Sequence, residues 1–398
     1  MIREILDACP RRLAGSASER RAHERLRDEF TGLGVDAELE PFRFNTHLYA
    51  TLALHFGVAT LGAALLFLGH PGVALALHLL AGISYVGDST RRFYLLRRLF
   101  PWKPSQNLVA TAPANGDMRL RVVLVGHVDA AYTGVLFHPR VVSQATKVPK
   151  LRALQFLRRS LLLATGGTLL LAVIDALTLA GISAPALWIV AALCCVGPVM
   201  AFVLNAEVVL RDEVVPGAND NLTGSAATVC LAARLVPRKR DDVELTFVVT
   251  GAEEAGTGGA YGLARDRAQG AWRREDTVVV AIDGLSNGEL MRVADGELFP
   301  IPVAPWIDHA LDRAVASDPR FARIAPFAIP AGATDTMPFL AFGYDGIALA
   351  CVDPTLGAPR HYHRPSDTLE NLDPAQLAVS IDFIERAVDE LIRERLGA

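Results

Sequence analysis

The chain has 398 residues, a hydrophobic fraction of 51% and a mean hydropathy of +0.29, which is high for a soluble protein. Its net charge of -4 and pI near 6.2 indicate no basic surface for nucleic acid, so we expect no nucleic-acid partner. The five cysteines show neither a disulfide framework nor a zinc-knuckle spacing, which favours a reducing compartment. The charged amino terminus lacks the apolar core and cleavage site of a signal peptide.

The first polar segment leads into the first of four apolar stretches, which form two pairs. The stretches span 49–69, 73–87, 161–181 and 186–204. A helix that crosses a bilayer needs about 20 apolar residues. The first, third and fourth stretches reach that length, and the second is shorter and contains His78. We predict two transmembrane hairpins, at 48–90 and 161–204, inserted among the polar segments 1–47, 91–160 and 205–398.

The same stretches have an alternative interpretation, as two buried helical hairpins of a soluble protein or as a dimer interface. Helices that are apolar on all sides rarely occur in such pairs outside a membrane, so we favour transmembrane hairpins. Asp175 lies within the third stretch. It can face a partner helix or water, or lie near the turn, and the sequence leaves these positions open.

Basic residues flank the two hairpins on one side. Those after the first hairpin and before the second are Arg91, Arg92, Arg97, Arg98, Lys147, Lys150, Arg152, Arg158 and Arg159. The turns within the hairpins carry no Lys or Arg. The positive-inside rule places the flanks in the cytoplasm. Because a hairpin returns the chain to the side that it left, all three polar segments are predicted to be cytoplasmic.

Strand and helix patterns alternate in the polar segments. Continuous apolar runs predict buried strands at 121–126, 245–250, 277–282 and 346–351. Helical spacing predicts three helices, at 18–33, 222–235 and 374–396. The first has a candidate serine cap at its start, and Gly34 follows it. This alternation indicates an α/β domain with a mainly parallel sheet.

Acids and histidines recur where the predicted strands end. They are His127, Asp129, Glu253, Glu254, Asp283 and His363, and Asp220 precedes a predicted helix. Each alone has an ordinary explanation, such as a helix cap for Asp220 or a solvated pair for the two glutamates. Sites in open α/β sheets form beyond the carboxyl ends of strands. Imidazole and carboxylate without thiolate suit a catalytic Zn²⁺, so the set predicts a zinc site.

The spacing of His127 and Asp129 predicts a contact between their side chains. Residues i and i+2 of an extended segment point to the same face. We therefore expect Asp129 to reach the imidazole of His127 and to fix its tautomer and orientation.

Together these motifs resemble the di-zinc aminopeptidase family, in clan MH of the metallopeptidases. The motifs are HxD at 127–129, GANDNxTG at 217–224, EE at 253–254, Asp283 and YHxxxDT at 362–368. The family also contains glutamate carboxypeptidases, glutaminyl cyclases and the catalytically inactive transferrin receptors. The resemblance covers residues 1–45, 105–135 and 212–395 and implies a three-layer α/β/α zinc-exopeptidase domain, with the hairpins as insertions.

The resemblance implies two zinc ions bridged by Asp220. One ion would bind His127 and Asp283, and the other Glu254 and His363. Glu253 would be the general base, which takes a proton from the attacking water and passes it to the leaving amine. Asp129 would support this catalytic site, and the peptide bond after Asp220 would be cis.

The resemblance also places Thr334 and Asp335 near the substrate pocket, although a helix cap explains their position equally well. Tyr362, beside His363, is a further candidate for a substrate contact. The implied function is a membrane-embedded, zinc-dependent exopeptidase, and family frequency favours an aminopeptidase. A carboxypeptidase, a glutaminyl-cyclase-like enzyme and a non-catalytic receptor-like protein are the alternatives.

The position of the second hairpin suggests the kind of substrate. It enters the chain between His127 and Asp220, so the site should lie near the membrane surface. We therefore expect the partners to be a lipid bilayer and peptides that are amphipathic or derived from the membrane. The sequence leaves the oligomeric state and the side-chain preference open.

Overall fold

The structure, a computed structural model, describes residues 1–149 and 151–397, without the side chains of Arg152 and Ala153. Lys150, one of the basic residues predicted to precede the second hairpin, lies outside the described residues. The strands are β1 Asp36–Asn45, β2 Trp102–Ala112, β3 Leu120–His127, β4 Val243–Thr250, β5 Thr277–Asp283, β6 Glu289–Ala294, β7 Ala325–Ala328 and β8 Asp345–Val352. The helices are α1 Ile2–Ala8, α2 Ala17–Gly32, α3 Leu48–Phe67, α4 Pro71–Ser89, α5 Pro139–Val142, α6 Gln144–Lys147, α7 Ser160–Leu179, α8 Pro185–Arg211, α9 Gly224–Leu235, α10 Gly258–Arg267, α11 Pro305–Ala316, α12 Thr336–Ala341 and α13 Pro374–Leu396.

The strands form one mixed sheet in the order β1-β2-β4-β3-β5-β8-β6-β7. Its centre, β4-β3-β5-β8, is parallel throughout, so the carboxyl ends of these four strands lie at one edge. The outer pairings are antiparallel except for that of β6 with β7. The four central strands are those that the sequence predicts, and their continuous apolar runs follow from burial on both faces.

Helices cover both faces of the sheet, which confirms the predicted three-layer α/β/α fold. Val122 and Leu124 of β3 face the layer of α2, α9, α11 and α13. Val123 and Val125 face the layer of α10 and α12. This alternation follows from the two-residue period of a strand. The observed bounds of α13 are those predicted, and α2 begins after Ser16, whose Oγ accepts a hydrogen bond from the N–H of Glu19 at 3.1 Å.

The four apolar stretches form two helical hairpins, which pack together into one bundle. Helix α3 packs mainly against α4 and α8, and α7 packs mainly against the same two helices. All four helices are long and apolar enough to cross a membrane. Helix α8 continues past the predicted boundary at residue 204 and ends at Arg211. Small residues allow close packing, since a Cβ on Gly167 of α7 would lie 2.5 Å from the carbonyl oxygen of Cys194 in α8.

Two polar residues meet inside the bundle and join the two hairpins. Nδ1 of His78 in α4 lies 2.6 Å from Oδ2 of Asp175 in α7, and both side chains are fully buried. Nε2 of His78 lies 3.0 Å from the carbonyl oxygen of Ala59 in α3. Gly62 leaves room for the imidazole, because a Cβ there would lie 2.9 Å from Nε2 of His78. Asp175 therefore faces a partner helix, and His78 is its partner.

The arginines that follow α4 divide into a buried pair and an exposed pair. Arg91 and Arg97 are 5% and 1% exposed. Each forms an ion pair with a buried acid, at 3.0 and 2.7 Å respectively. Arg92 and Arg98 are exposed. The charge that could mark the membrane side after the first hairpin therefore rests on Arg92 and Arg98, while Arg91 and Arg97 hold the folded structure together.

The contact between His78 and Asp175 leads to a prediction about stability. Asp175→Leu leaves the Nδ1 of His78 buried without a partner, which should lower the free energy of unfolding by about 1–3 kcal/mol. The double substitution His78→Leu with Asp175→Leu should recover most of this loss, since two apolar side chains need no polar partner. Thermal unfolding of the detergent-purified full-length chain measures the three variants. A double variant that loses the sum of both single losses would contradict the pairing.

Candidate metal centre

The carboxyl ends of the central strands bring the first group of candidate ligands together. His127 ends β3, Asp283 ends β5 and Asp220 precedes α9. Nε2 of His127 lies 3.3 Å from Oδ1 of Asp220 and 3.7 Å from Oδ1 of Asp283. The ligand atoms of these three residues all lie within 4.8 Å of one another, so the group can hold a metal ion.

A second group lies on the other side of Asp220. Nε2 of His363 lies 3.3 Å from Oδ2 of Asp220 and 3.3 Å from Oε1 of Glu254. Asp220 therefore directs one carboxylate oxygen toward each histidine, which is the arrangement required of a residue that bridges two ions. Glu253, Glu254 and His127 form a third group of the same dimensions. The structure thus brings all five sequence-predicted ligands and the predicted base to one edge of the sheet.

The donor atoms of this centre fit a metal ion. Nε2 of His127 and Oε1 of Glu254 are buried, and neither has a hydrogen-bond partner within the part of the chain that the structure describes. A buried polar atom without a partner is destabilising, and a metal ion would bind both. Imidazole nitrogen and carboxylate oxygen are ligands of catalytic zinc sites. The residues present can therefore hold zinc on either side of Asp220.

The electrostatics of the centre also favour cations. Burial raises the pKa of Glu253 well above its usual value, and although His127 opposes this rise, neighbouring carboxylates add to it. Burial raises the pKa of Glu254 to about 6, against the opposing effect of His363, and Asp220 adds to the rise. Burial lowers the pKa of His363, but Glu254 and Asp220 outweigh it and raise that pKa to about 10. These shifts show carboxylates that repel one another in a desolvated site, and positive charge between them would relieve the repulsion.

Backbone contacts fix the position of Asp220. Its peptide bond to Asn221 is cis, as the family resemblance implies. The carboxylate of Asp367 accepts hydrogen bonds from the N–H groups of Asn219 and Asp220, at 2.8 and 3.0 Å. Thr223 stands at the start of α9 and has no side-chain cap. Asp220 is therefore not the helix cap that its sequence position suggests, because its carboxylate faces the two histidines.

Asp129 holds the two adjacent glutamates. Its Oδ1 and Oδ2 accept hydrogen bonds from the N–H groups of Glu253 and Glu254, at 3.1 and 3.0 Å. The expected contact with His127 is longer, since Nδ1 lies 3.5 Å from Oδ1 of Asp129 and 3.3 Å from its carbonyl oxygen. One carboxylate thus orients the backbone of both glutamates and also faces the imidazole.

Two further buried carboxylates support the centre and were not among the predicted site residues. Glu19 of α2 accepts hydrogen bonds from the N–H of Ala252 at 2.9 Å and from Oγ of Ser105 at 2.8 Å. The amino-terminal helix therefore holds the turn that precedes Glu253. Asp367, described above, lies in the YHxxxDT motif, and that motif could have identified it. Glu19 lies in an ordinary amphipathic helix and carries no such signal.

Two arginines that follow the first hairpin form hydrogen bonds with the loop after the two glutamates. Nη1 of Arg97 donates to the carbonyl oxygen of Ala255 at 2.9 Å. Nε of Arg91 donates to Oγ1 of Thr257 at 3.0 Å, and its Nη1 donates to Oε2 of Glu297 at 3.0 Å. Charge-assisted hydrogen bonds of this kind are stronger than neutral ones. The loop that carries the glutamates is therefore fixed by residues that also end the apolar hairpin.

The three predicted substrate residues differ in the contacts that their side chains make. Oγ1 of Thr334 donates to Oδ2 of Asp295 at 2.6 Å, so its hydroxyl is already used in the fold. Oδ2 of Asp335 accepts a hydrogen bond from Oγ1 of Thr250, whereas its Oδ1 is buried and has no partner within the described residues. Asp335 makes no capping hydrogen bond to α12, so the helix-cap interpretation is wrong for its side chain. Tyr362 packs on His363, with ring centroids 4.0 Å apart.

Solved structures with the same fold share little sequence with this chain. Glutaminyl cyclase from Porphyromonas gingivalis matches with a TM-score of 0.56 and 12% identity, over 98% of this chain and 95% of that one. A zinc aminopeptidase from Bacillus subtilis matches with a TM-score of 0.55 and 12% identity, over 98% and 93%. A Zn-dependent exopeptidase from Parabacteroides distasonis matches with a TM-score of 0.53 and 11% identity, over 96% and 94%. At these identities the likeness shows the fold.

The sequence itself matches one family. No curated protein matches the chain at a significant level. The family described as Peptidase family M28 matches residues 205–388, a region that holds Asp220, Glu254, Asp283 and His363. Residues 205–388 therefore match Peptidase family M28, in agreement with the resemblance that the motifs indicate.

Proposed function

We propose that this protein is a membrane-embedded, zinc-dependent aminopeptidase that uses two metal ions. The observation that carries the proposal is the position of Asp220, whose two carboxylate oxygens each lie 3.3 Å from the Nε2 of a different histidine. A single-ion site needs no such bridge. Asp283 lies 3.7 Å from Nε2 of His127 and completes the ligand group on that side.

The side chains of the centre are arranged for peptide hydrolysis. Zinc, when bound by the two groups, supplies a Lewis acid for the scissile carbonyl and acidifies a water molecule. Glu253 lies at the same edge, with its Oε2 3.8 Å from Nε2 of His127. It accepts a proton from the water as the water oxygen attacks the carbonyl carbon. It then donates that proton to the leaving nitrogen as the C–N bond breaks. Asp129 holds the backbone of Glu253 in place throughout.

The charge around the metal centre favours recognition of an α-amino group over an α-carboxylate. Oδ1 of Asp335 is buried without a partner within the described residues. Asp335 lies close enough to Glu253 to raise the pKa of that residue. Among the arginines near His363, Arg360 forms an ion pair with Asp353 at 3.1 Å, and its side chain is 58% exposed. A free carboxylate would therefore meet carboxylates here, whereas an ammonium group would find a partner in Asp335.

The outward faces of the four apolar helices support a membrane location over two buried hairpins in a soluble protein. Large apolar side chains are exposed on the bundle, among them Leu61, Leu170, Ile189, Leu193 and Val196. Monomeric soluble proteins rarely expose contiguous apolar surface of this extent. The four-helix bundle thus has the surface that lipid covers. Exposed Arg92, Arg98 and Lys147 favour the cytoplasm for the peptidase domain.

The catalytic centre lies near the bundle, which supports membrane-associated peptides as substrates. Tyr49 at the start of α3 and Val208 near the end of α8 pack with Phe137 in one cluster, and Tyr362 packs against it. The ring of Tyr362 in turn lies against the ring of His363. A peptide held at the bilayer surface therefore lies close to the site.

Substitution of the general base tests the proposed reaction. Glu253→Gln keeps the size of the side chain and removes its ability to take a proton, so kcat should fall by about 100-fold to 10,000-fold. Zinc content should stay unchanged, since the ligands remain. Hydrolysis of aminoacyl peptides by the full-length protein in detergent measures kcat. Glu4→Gln, at a side chain that is 69% exposed, is the matched control and should retain full activity.

The same assay distinguishes the alternatives. Activity of Glu253→Gln equal to that of the unmodified protein would contradict the proposed role. Product from a glutaminyl peptide that keeps all its residues and has lost ammonia would indicate a cyclase.

Turnover is also compared for soluble and vesicle-bound peptides. Equal rates would argue against membrane-derived substrates.

Orientation is tested with single introduced cysteines. Ser317 is exposed after α11, and Ser183 is exposed in the turn between α7 and α8. In intact cells a membrane-impermeant maleimide should label Ser183→Cys and leave Ser317→Cys unlabelled, because the peptidase domain is predicted to be cytoplasmic. The unmodified protein controls for the native cysteines. Labelling of Ser317→Cys without cell lysis would place the peptidase domain outside.

A further inference from the structure

The two histidines of the metal centre differ in which part of the chain supplies the group that faces their Nδ1 atoms. Nε2 of each histidine faces the candidate ligands, so Nδ1 is the nitrogen that points away. Nδ1 of His127 faces Asp129 of the peptidase domain. Nδ1 of His363 faces the hydroxyl of Tyr49, at 3.5 Å. Tyr49 belongs to α3, the first helix of the apolar bundle.

Tyr49 lies beside His363, and its hydroxyl faces Nδ1 of that residue. Its side chain is buried, with 7% exposure. Within the part of the chain that the structure describes, His363 is the only hydrogen-bond partner of the Tyr49 hydroxyl. Its ring packs edge-on against Tyr132 and Phe137, with centroids 6.2 and 6.1 Å away. The hydroxyl is therefore held toward His363 by packing on its ring.

The imidazole of His363 is likewise held in one orientation. The ring of Phe137 lies 4.4 Å from it and that of Tyr362 lies 4.0 Å from it, centroid to centroid. When Nε2 binds a metal ion, the neutral imidazole carries its proton on Nδ1. Nδ1 can then donate a hydrogen bond to the Tyr49 oxygen. Groups that accept such a bond fix the ligand's tautomer and orientation, and their loss weakens metal binding by about 10-fold to 100-fold.

We propose that Tyr49 is a positioning residue for His363, so that the first helix of the bundle completes one half of the metal centre. This inference rests on the proposed zinc site. The bundle would then contribute to metal affinity as well as to location. The other end of the first hairpin acts on a different part of the site. There Arg91 and Arg97 hold the loop that follows the two glutamates.

The test uses Tyr49→Phe, which keeps the ring packing and removes only the hydroxyl. Tyr94→Phe is the matched control, because Tyr94 is also a buried tyrosine near the hairpin and its hydroxyl has no partner within the described residues. Zinc affinity is measured for the full-length protein in detergent, by competition with a chromophoric chelator. The visible absorption of the Co²⁺-substituted protein reports the geometry at the ligands, and thermal unfolding reports the fold.

Tyr49→Phe should bind one of two zinc ions about 10-fold to 100-fold more weakly. Its Co²⁺ spectrum should change, and excess zinc should restore kcat while KM stays the same. Tyr94→Phe should match the unmodified protein in each respect. If Tyr49→Phe binds zinc with unchanged affinity and spectrum while the unmodified protein binds two ions, the inference fails and the proposed function stands. If the unmodified protein binds no zinc, both fail.

Discussion

The main physical constraint on this structure is a cluster of buried carboxylates around two imidazoles. The cluster lies at the edge of the sheet where the parallel strands end. Asp220 faces both histidines, and burial with neighbouring negative charge raises the pKa of Glu253 and Glu254. Such a cluster is unfavourable without cations. Three further carboxylates, those of Asp129, Glu19 and Asp367, accept hydrogen bonds from the backbone around it. The fold thus concentrates negative charge at one point and supports it from several elements.

The apolar bundle connects to this point by direct contacts. Tyr49 approaches a candidate ligand from the start of the first hairpin, and Arg91 and Arg97 hold the loop after the glutamates from its end. The second hairpin is tied to the first by the buried contact of His78 with Asp175. A change in how the bundle packs would therefore reach the metal centre through these side chains.

The centre of the sheet and the ligand set could be predicted from the sequence because their signals are local. Strands covered on both faces read as continuous apolar runs, and the acids and histidines directly follow them. The outer strands could not be predicted in this way. The edge strands β1 and β7 are largely exposed or half-buried and contain Pro41 and Pro326, and β2 buries the polar run Ser105 to Asn107.

Contacts between distant parts of the chain account for what the sequence could not predict. Tyr49 meets His363 across 314 positions, and Arg91 meets Glu297 across 206. Four arginines after the first hairpin look alike in the sequence, yet two are buried in ion pairs and two face solvent. Asp175 and His78 likewise look like interruptions of apolar helices until the fold pairs them. Each of these roles depends on a partner that only the folded chain brings near.

The most direct test of the account is the zinc content of the full-length protein purified in detergent, measured alongside His363→Ala. We expect two zinc ions per chain, because Asp220 directs one oxygen to each of two ligand groups. His363→Ala should retain one, bound by His127, Asp220 and Asp283. One ion in the unmodified protein would contradict the two-metal hydrolase. No metal in a folded chain would contradict the catalytic account altogether and leave a protein that binds without cutting.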